Sequence, residues 1–111
     1  MTLQRLKQLG CDTQSGVHRC MDNEAFYLML VDKGLASNDP EKLKNALDLG
    51  DLDTAFALSH SMKGVYGNLS LTPLFNLLSE LTELLRARTQ MDYGPYMQKL
   101  EALLRSFKAT E

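Results

Sequence analysis

The chain has 111 residues, of which 44% are hydrophobic and 23% charged, so we expect one folded domain over 1–111 with a buried core. The net charge of −2 argues against nucleic acid as the main partner, because proteins that bind it carry a basic surface. The apolar runs are too short to span a bilayer, and the first residues lack a signal-peptide apolar block. We therefore expect a cytoplasmic protein with reduced cysteines and no membrane partner.

The sequence predicts a short helical segment over residues 1 to about 20, followed by a bundle over about 21–109. The short segment contains three candidate zinc ligands, Cys11, His18 and Cys20. Zinc sites usually have closely spaced cysteine pairs and four ligands, whereas these three residues are loosely spaced. We interpret the cysteines as small buried hydrophobic residues and His18 as a surface histidine, and we predict no metal site.

Prolines and a glycine mark the ends of the later helices. Each proline follows a residue that could cap a helix, in Asp39-Pro40, Thr72-Pro73 and Gly94-Pro95. Gly50-Asp51 indicates that one helix ends and that the next one is capped. No stretch alternates polar and apolar residues with the period of a strand, so no sheet is predicted.

Apolar residues recur at helical spacing in residues 22 to about 36, 40–49, 51–69, 73 to about 87 and 95–107. The predicted core stripes are Ala25, Leu28, Val31 and Leu35; Leu43, Ala46 and Leu47; Ala55, Leu58, Met62, Val65, Tyr66 and Leu69; Leu74, Leu77, Leu78, Leu81 and Leu85; and Met97, Leu100, Leu104 and Phe107. Short connections favour antiparallel neighbours, so the pattern predicts an all-α helical bundle.

His60 lies opposite the apolar stripe of its predicted helix, and we expect it to face solvent. Lys63 and Gly64 follow it by one turn, and Phe56 precedes it by one turn. A glycine inside a helix costs about 0.5–1 kcal/mol relative to alanine, and nothing in the predicted fold requires that cost on an exposed face. We interpret Gly64 and Gly67 as a clearing for another molecule, beside an exposed Phe56 that suits a contact surface.

A second interpretation of the same glycine is possible. Gly64 could end a helix at Lys63, which would leave His60 as an ordinary histidine near a helix C-terminus. Val65, Tyr66 and Leu69 continue the apolar stripe beyond that point, which favours one uninterrupted helix.

The chemistry available at His60 is limited to a few groups. An exposed imidazole can form covalent intermediates, and a phosphoryl group on it would carry about two negative charges close to the ammonium of Lys63. The sequence has no phosphate-cradling glycine loop and no orienting carboxylate for a general base at His60. These residues therefore argue against an enzyme that uses ATP by itself, whereas a phosphoryl carrier needs only an exposed histidine and a nearby cation.

The segment LSHSMKGVYGNL resembles the signature of histidine-containing phosphotransfer (HPt) domains, A-H-x-L-K-G-x-x-x-N-[LI]-G. The stretch LGCDTQSGVHRCMDNEAFYLMLV is similar to the opening of that family, and LTPLFNLLSELTELLR is similar to the helix that follows the motif. The resemblance therefore covers nearly the whole chain.

The resemblance implies an antiparallel four-helix bundle with additional short helices and no kinase activity of its own. His60 would be the phosphoacceptor, Lys63 would stabilise the phosphate, and Gly64 would clear the approach. Gly67 and Asn68 match common family choices. The implied partners are receiver domains of response regulators and a hybrid sensor histidine kinase, and no cofactor is expected on this chain, since the receiver would hold the Mg²⁺.

Three positions depart from the family pattern. Ser59 stands where alanine is usual, Met62 stands where leucine is usual, and Ser70 replaces a frequent glycine, which leaves the end of the helix open. An alternative function is an HPt-fold binding module that regulates a signalling partner by docking alone. The presence of both His60 and Lys63 favours the phosphoryl carrier.

Overall fold

The computed structural model describes residues 1–109, which contain helices and no strand. In chain order the helices are α1 (Leu3–Gln8), α2 (Thr13–Arg19), α3 (Glu24–Leu35), α4 (Asp39–Asp48), α5 (Leu52–Asn68), α6 (Thr72–Arg86) and α7 (Gly94–Lys108). The prediction of an all-α fold is confirmed.

Helices α4 to α7 form the bundle. Helix α4 packs against α5 and α7, and α6 also packs against α5 and α7, so the four helices close into a ring. Their short connections make successive helices antiparallel. The N-terminal helices are additions to this ring, since α3 packs against α7 and α2, and α2 packs against α1.

The helix starts follow the predicted signals with one difference. Asp51 caps α5 by accepting a hydrogen bond from the backbone nitrogen of Thr54 at 3.1 Å, and Gly50 has a φ of +70° at the end of α4. At the three prolines the N-cap lies one residue earlier than predicted, at Asn38, Leu71 and Tyr93. The proline can occupy the second helical position because the N–H that it lacks would have no partner in the first turn.

The predicted core stripes of α4, α6 and α7 are buried or partly buried, but the stripe of α3 is shifted. Ala25 is exposed, and Tyr27 is completely buried in its place. The Tyr27 hydroxyl donates a hydrogen bond to the backbone carbonyl of Leu69 at 2.7 Å, and burial raises the pKa of Tyr27 to about 12. The prediction was wrong for Ala25 because the large ring of Tyr27, four residues before Val31, sets which face turns inward.

Helix α5 also differs from its predicted stripe. Val65 is 41% exposed, whereas Ser59 is completely buried. Ser59 and Thr82 of α6 form a hydroxyl hydrogen bond of 2.7 Å, and Thr82 donates to the carbonyl of Leu78 at 2.6 Å. Since the Thr82 proton is used there, Ser59 is the donor in the pair. This bond ties α5 to α6 directly behind His60.

Both cysteines are buried free thiols, as predicted. Burial raises the pKa of Cys11 to about 11, which keeps this thiol protonated. His18 is exposed, and its Nδ1 lies 3.2 Å from a carboxylate oxygen of Asp22. Within residues 1–109, no group of three or more His, Cys, Asp or Glu side chains could hold a metal ion. No helix in this described part is long and apolar enough to cross a membrane.

Candidate functional site

Helix α5 runs without interruption from Leu52 to Asn68, through both glycines. The interpretation in which Gly64 ends the helix is therefore wrong. The helix closes when Ser70 donates to the carbonyl of Gly67 at 3.1 Å and Leu71 donates to that of Tyr66 at 2.9 Å, which is the Schellman pattern. Ser70 has a φ of +55°, so the serine adopts the left-handed conformation that a glycine would adopt more easily.

His60 is exposed on α5, and its imidazole stacks against Phe56. The two ring centroids are 5.9 Å apart, and the ring planes differ by 17°. The guanidinium carbon of Arg86 lies 5.0 Å from the centroid of the Phe56 ring. Phe56 is therefore half-buried and not freely exposed as predicted, because the last turn of α6 places Arg86 over it.

The residues that precede His60 on this face of α5 contact arginine side chains from the end of α6 and just beyond it. Arg86 pairs with Glu83, with 3.5 Å between the guanidinium Nε and a carboxylate oxygen. Arg88, just after α6, pairs with Asp53 of α5. We call this part of the surface, formed by Asp53, Phe56, Arg86 and Arg88, the covered side of His60.

The fold requires a glycine at only one of the two glycine positions that follow His60. A Cβ at Gly64 would have no atom within 4 Å, so the fold places no demand on this position. A Cβ at Gly67 would lie 2.9 Å from the ring of Phe75 in α6. The prediction that nothing in the fold requires these glycines is therefore wrong for Gly67, where the close approach of α6 requires it.

A recess of about 480 Å³ opens beside His60. Helix α5 contributes His60, Lys63, Gly64, Gly67 and Asn68, and further lining residues are Asp12, Ser15, Arg19, Ser70, Thr72 and Phe75. The Nη1 atom of Arg19 donates a hydrogen bond to the backbone carbonyl of Gly67 at 2.6 Å. We call this cavity the recess, and it forms the open side of His60.

The structure brings four of the five predicted site residues together at the recess, namely His60, Lys63, Gly64 and Gly67, while Phe56 lies on the covered side. Sequence reasoning did not single out Arg19, Phe75 or Arg86. No spacing rule connects them to His60, because they reach it from other helices. The one available signal for Arg19 was its place in LGCDTQSGVHRCMDNEAFYLMLV, the stretch that is similar to the opening of the family.

Residues 35–110 match the family model described as Hpt domain. Comparisons with curated proteins and with solved structures gave no match. The family match covers well over half of the chain, and this chain belongs to the Hpt-domain family.

Members of the family act in histidine phosphotransfer within phosphorelays, where they interact with receiver domains and kinases. They are phosphocarriers and not kinases. The resemblance noted in the sequence is thereby confirmed at the level of the family and its fold.

Proposed function

We propose that this chain is a phosphorelay intermediate that carries a phosphoryl group on His60. The group arrives from a receiver aspartyl phosphate or a sensor kinase and leaves to the aspartate of another receiver. One observation carries the proposal, which is the exposed His60 imidazole on the rigid helix α5 with Lys63 and an unobstructed Gly64 beside it. In an Hpt-family chain this is the arrangement that a carrier needs.

The transfer requires few groups from this chain. The neutral imidazole nitrogen of His60 attacks phosphorus, the P–N bond forms, and the P–O bond to the aspartate breaks with its carboxylate as the leaving group. The phosphoryl group then brings about two negative charges onto α5, close to the ammonium of Lys63. Alignment of donor and acceptor and electrostatic stabilisation supply most of the catalysis in such transfers.

The receiver would provide the Mg²⁺ of the reaction. Magnesium prefers carboxylate oxygens. Near His60, Asp53 is paired with Arg88 and Glu83 with Arg86, and Asp12 caps α2. We place the carrier in the cytoplasm together with response regulators and a hybrid sensor kinase as its partners.

The chain contains two histidines, which gives the test a matched control. We expect a phosphorylated receiver to leave an acid-labile, alkali-stable phosphate on the wild type and on His18→Gln, and none on His60→Gln. Equal labelling of His60→Gln and wild type would refute His60 as the phosphoacceptor. Receiver binding by wild type and by His60→Ala without any transfer would instead favour regulation by docking alone.

A further inference from the structure

Arg19 holds a fixed position along the helix that carries His60. Its hydrogen bond of 2.6 Å joins it to the carbonyl of Gly67, and Gly67 follows His60 by seven residues. Seven residues of α-helix rise about 10 Å and return to nearly the same face. The guanidinium is therefore held on the open side, about two turns beyond the imidazole.

The charges on the two sides of His60 are balanced differently. Arg86 and Arg88 on the covered side each have a carboxylate partner. Within residues 1–109, Lys63 and Arg19 form no ion pair. The recess thus presents two cations without an ion-pair partner in a chain whose net charge is −2.

The one acidic side chain among the described residues that line the recess, Asp12, forms no ion pair with these cations. Asp12 uses a carboxylate oxygen to accept a hydrogen bond from the backbone nitrogen of Ser15 at 3.1 Å, which caps α2. The two roles of the cations also differ, because Lys63 is one turn from His60 and can reach a phosphoryl group there, whereas Arg19 is anchored further along at Gly67.

We propose that the recess is a docking subsite for the receiver domain, and that Arg19 pairs there with a carboxylate of the receiver about 10 Å from its phosphorylated aspartate. This inference rests on the proposed function. A guanidinium has five N–H donors, so the bond to Gly67 leaves several for a carboxylate. Because that bond already orients the side chain, less conformational entropy is lost when the partner binds.

The first test is the single-turnover rate of phosphoryl transfer from a receiver domain that labels the wild type, measured over a range of receiver concentrations. Arg19→Gln removes the charge but keeps an amide that can donate to the Gly67 carbonyl. We expect its half-saturating receiver concentration to rise about fivefold with the maximal rate unchanged. Arg19→Lys should retain most of the affinity, and Arg105→Gln on α7, with the same change in net charge, should match the wild type.

Salt and the receiver surface provide a second measurement that needs no further variant of this chain. We expect the difference between wild type and Arg19→Gln to vanish near 1 M salt, where the Debye length is about 3 Å. In a scan that converts acidic receiver residues to amides, one change should weaken binding to the wild type and have no further effect on Arg19→Gln. A scan without such a residue would overturn the proposal.

Phosphoramidate separates docking from contact with the phosphoryl group. It transfers its phosphoryl group to the imidazole as its P–N bond breaks and ammonia leaves, and no receiver is involved. We expect equal labelling rates for wild type and Arg19→Gln, and a slower variant would overturn the docking role. Wild-type transfer with unchanged receiver affinity in Arg19→Gln would overturn this inference alone, whereas no transfer from any receiver to the wild type would overturn the proposed function with it.

Discussion

The surface of α5 differs on the two sides of His60. Four residues before it, Phe56 is stacked on the imidazole and covered by Arg86. Four residues after it, Gly64 has nothing within 4 Å of where a Cβ would stand. Both positions are one turn from His60 on the same helix, so the helix itself does not cause the difference.

The elements that lie beside α5 cause the difference between the two sides of His60. The last turn of α6 and the residue Arg88 reach the covered side, whereas on the open side α2 contributes Arg19 and leaves a recess. The covered side can hold the imidazole in one orientation through the Phe56 ring, and the open side can admit a partner. Under the proposed function, the groups that position His60 would therefore lie on one side of it and the surface for the partner on the other.

The largest effect is expected when the open side is filled. Gly64→Leu adds a bulky side chain one turn from the imidazole, and we expect the rate of transfer from a phosphorylated receiver to fall about 100-fold, since small displacements of reacting groups have effects of this size. Circular dichroism should show an intact bundle. Ala102→Leu, which enlarges an exposed position of α7, should transfer at the wild-type rate, and a normal rate in Gly64→Leu would remove our explanation of this glycine.

A smaller effect is expected from the charge at the open side. Lys63→Met keeps an apolar side chain of similar length but removes the ammonium. One partly exposed charge contributes about 1 kcal/mol, so we expect the transfer rate to fall about fivefold. The deficit should shrink as salt is raised. Lys99→Met on α7 is the control, and an equal loss in both variants would show that the effect belongs to net charge and not to this position.

The third comparison concerns stability instead of transfer rate and is made between the two glycines. Gly64→Ala should raise the free energy of unfolding by about 0.5–1 kcal/mol, because alanine favours the helix and meets no atom. Gly67→Ala should be less stable than Gly64→Ala by about 1–3 kcal/mol, since its Cβ overlaps the Phe75 ring. Thermal or urea unfolding measures both.

A second substitution checks the physical cause of that difference. Phe75→Leu removes the ring that a Cβ at position 67 would meet. In a chain that carries Phe75→Leu, Gly67→Ala should therefore lower the free energy of unfolding by less. If this decrease is the same with either residue at position 75, the contact with α6 is not the reason for glycine at position 67.

The parts of the fold that sequence predicted correctly depend on local rules. Asp51 caps a helix through a residue three positions away, and the leucines of α6 share one face because of helical periodicity. The histidine, lysine and open glycine lie within five residues of one another, so their relation could be predicted from helix geometry and the family motif.

The parts that sequence did not predict depend on contacts between distant residues. Phe75 explains Gly67 from another helix, and Arg86 covers Phe56 from the end of that same helix. Arg19 joins α2 to a carbonyl 48 positions later. A periodicity argument contains no information on such pairs, because it describes one helix at a time.

An NMR titration with an unphosphorylated receiver domain tests most directly whether the partner approaches from the Gly64 side. Backbone amide shifts and the Nε–H signal of Arg19 are followed as the receiver is added. We expect the largest changes at Lys63, Gly64, Gly67 and Arg19, with smaller ones at Phe56 and Asp53. Changes confined to the covered side, or to the faces of α4 and α7 away from His60, would contradict an approach from the Gly64 side.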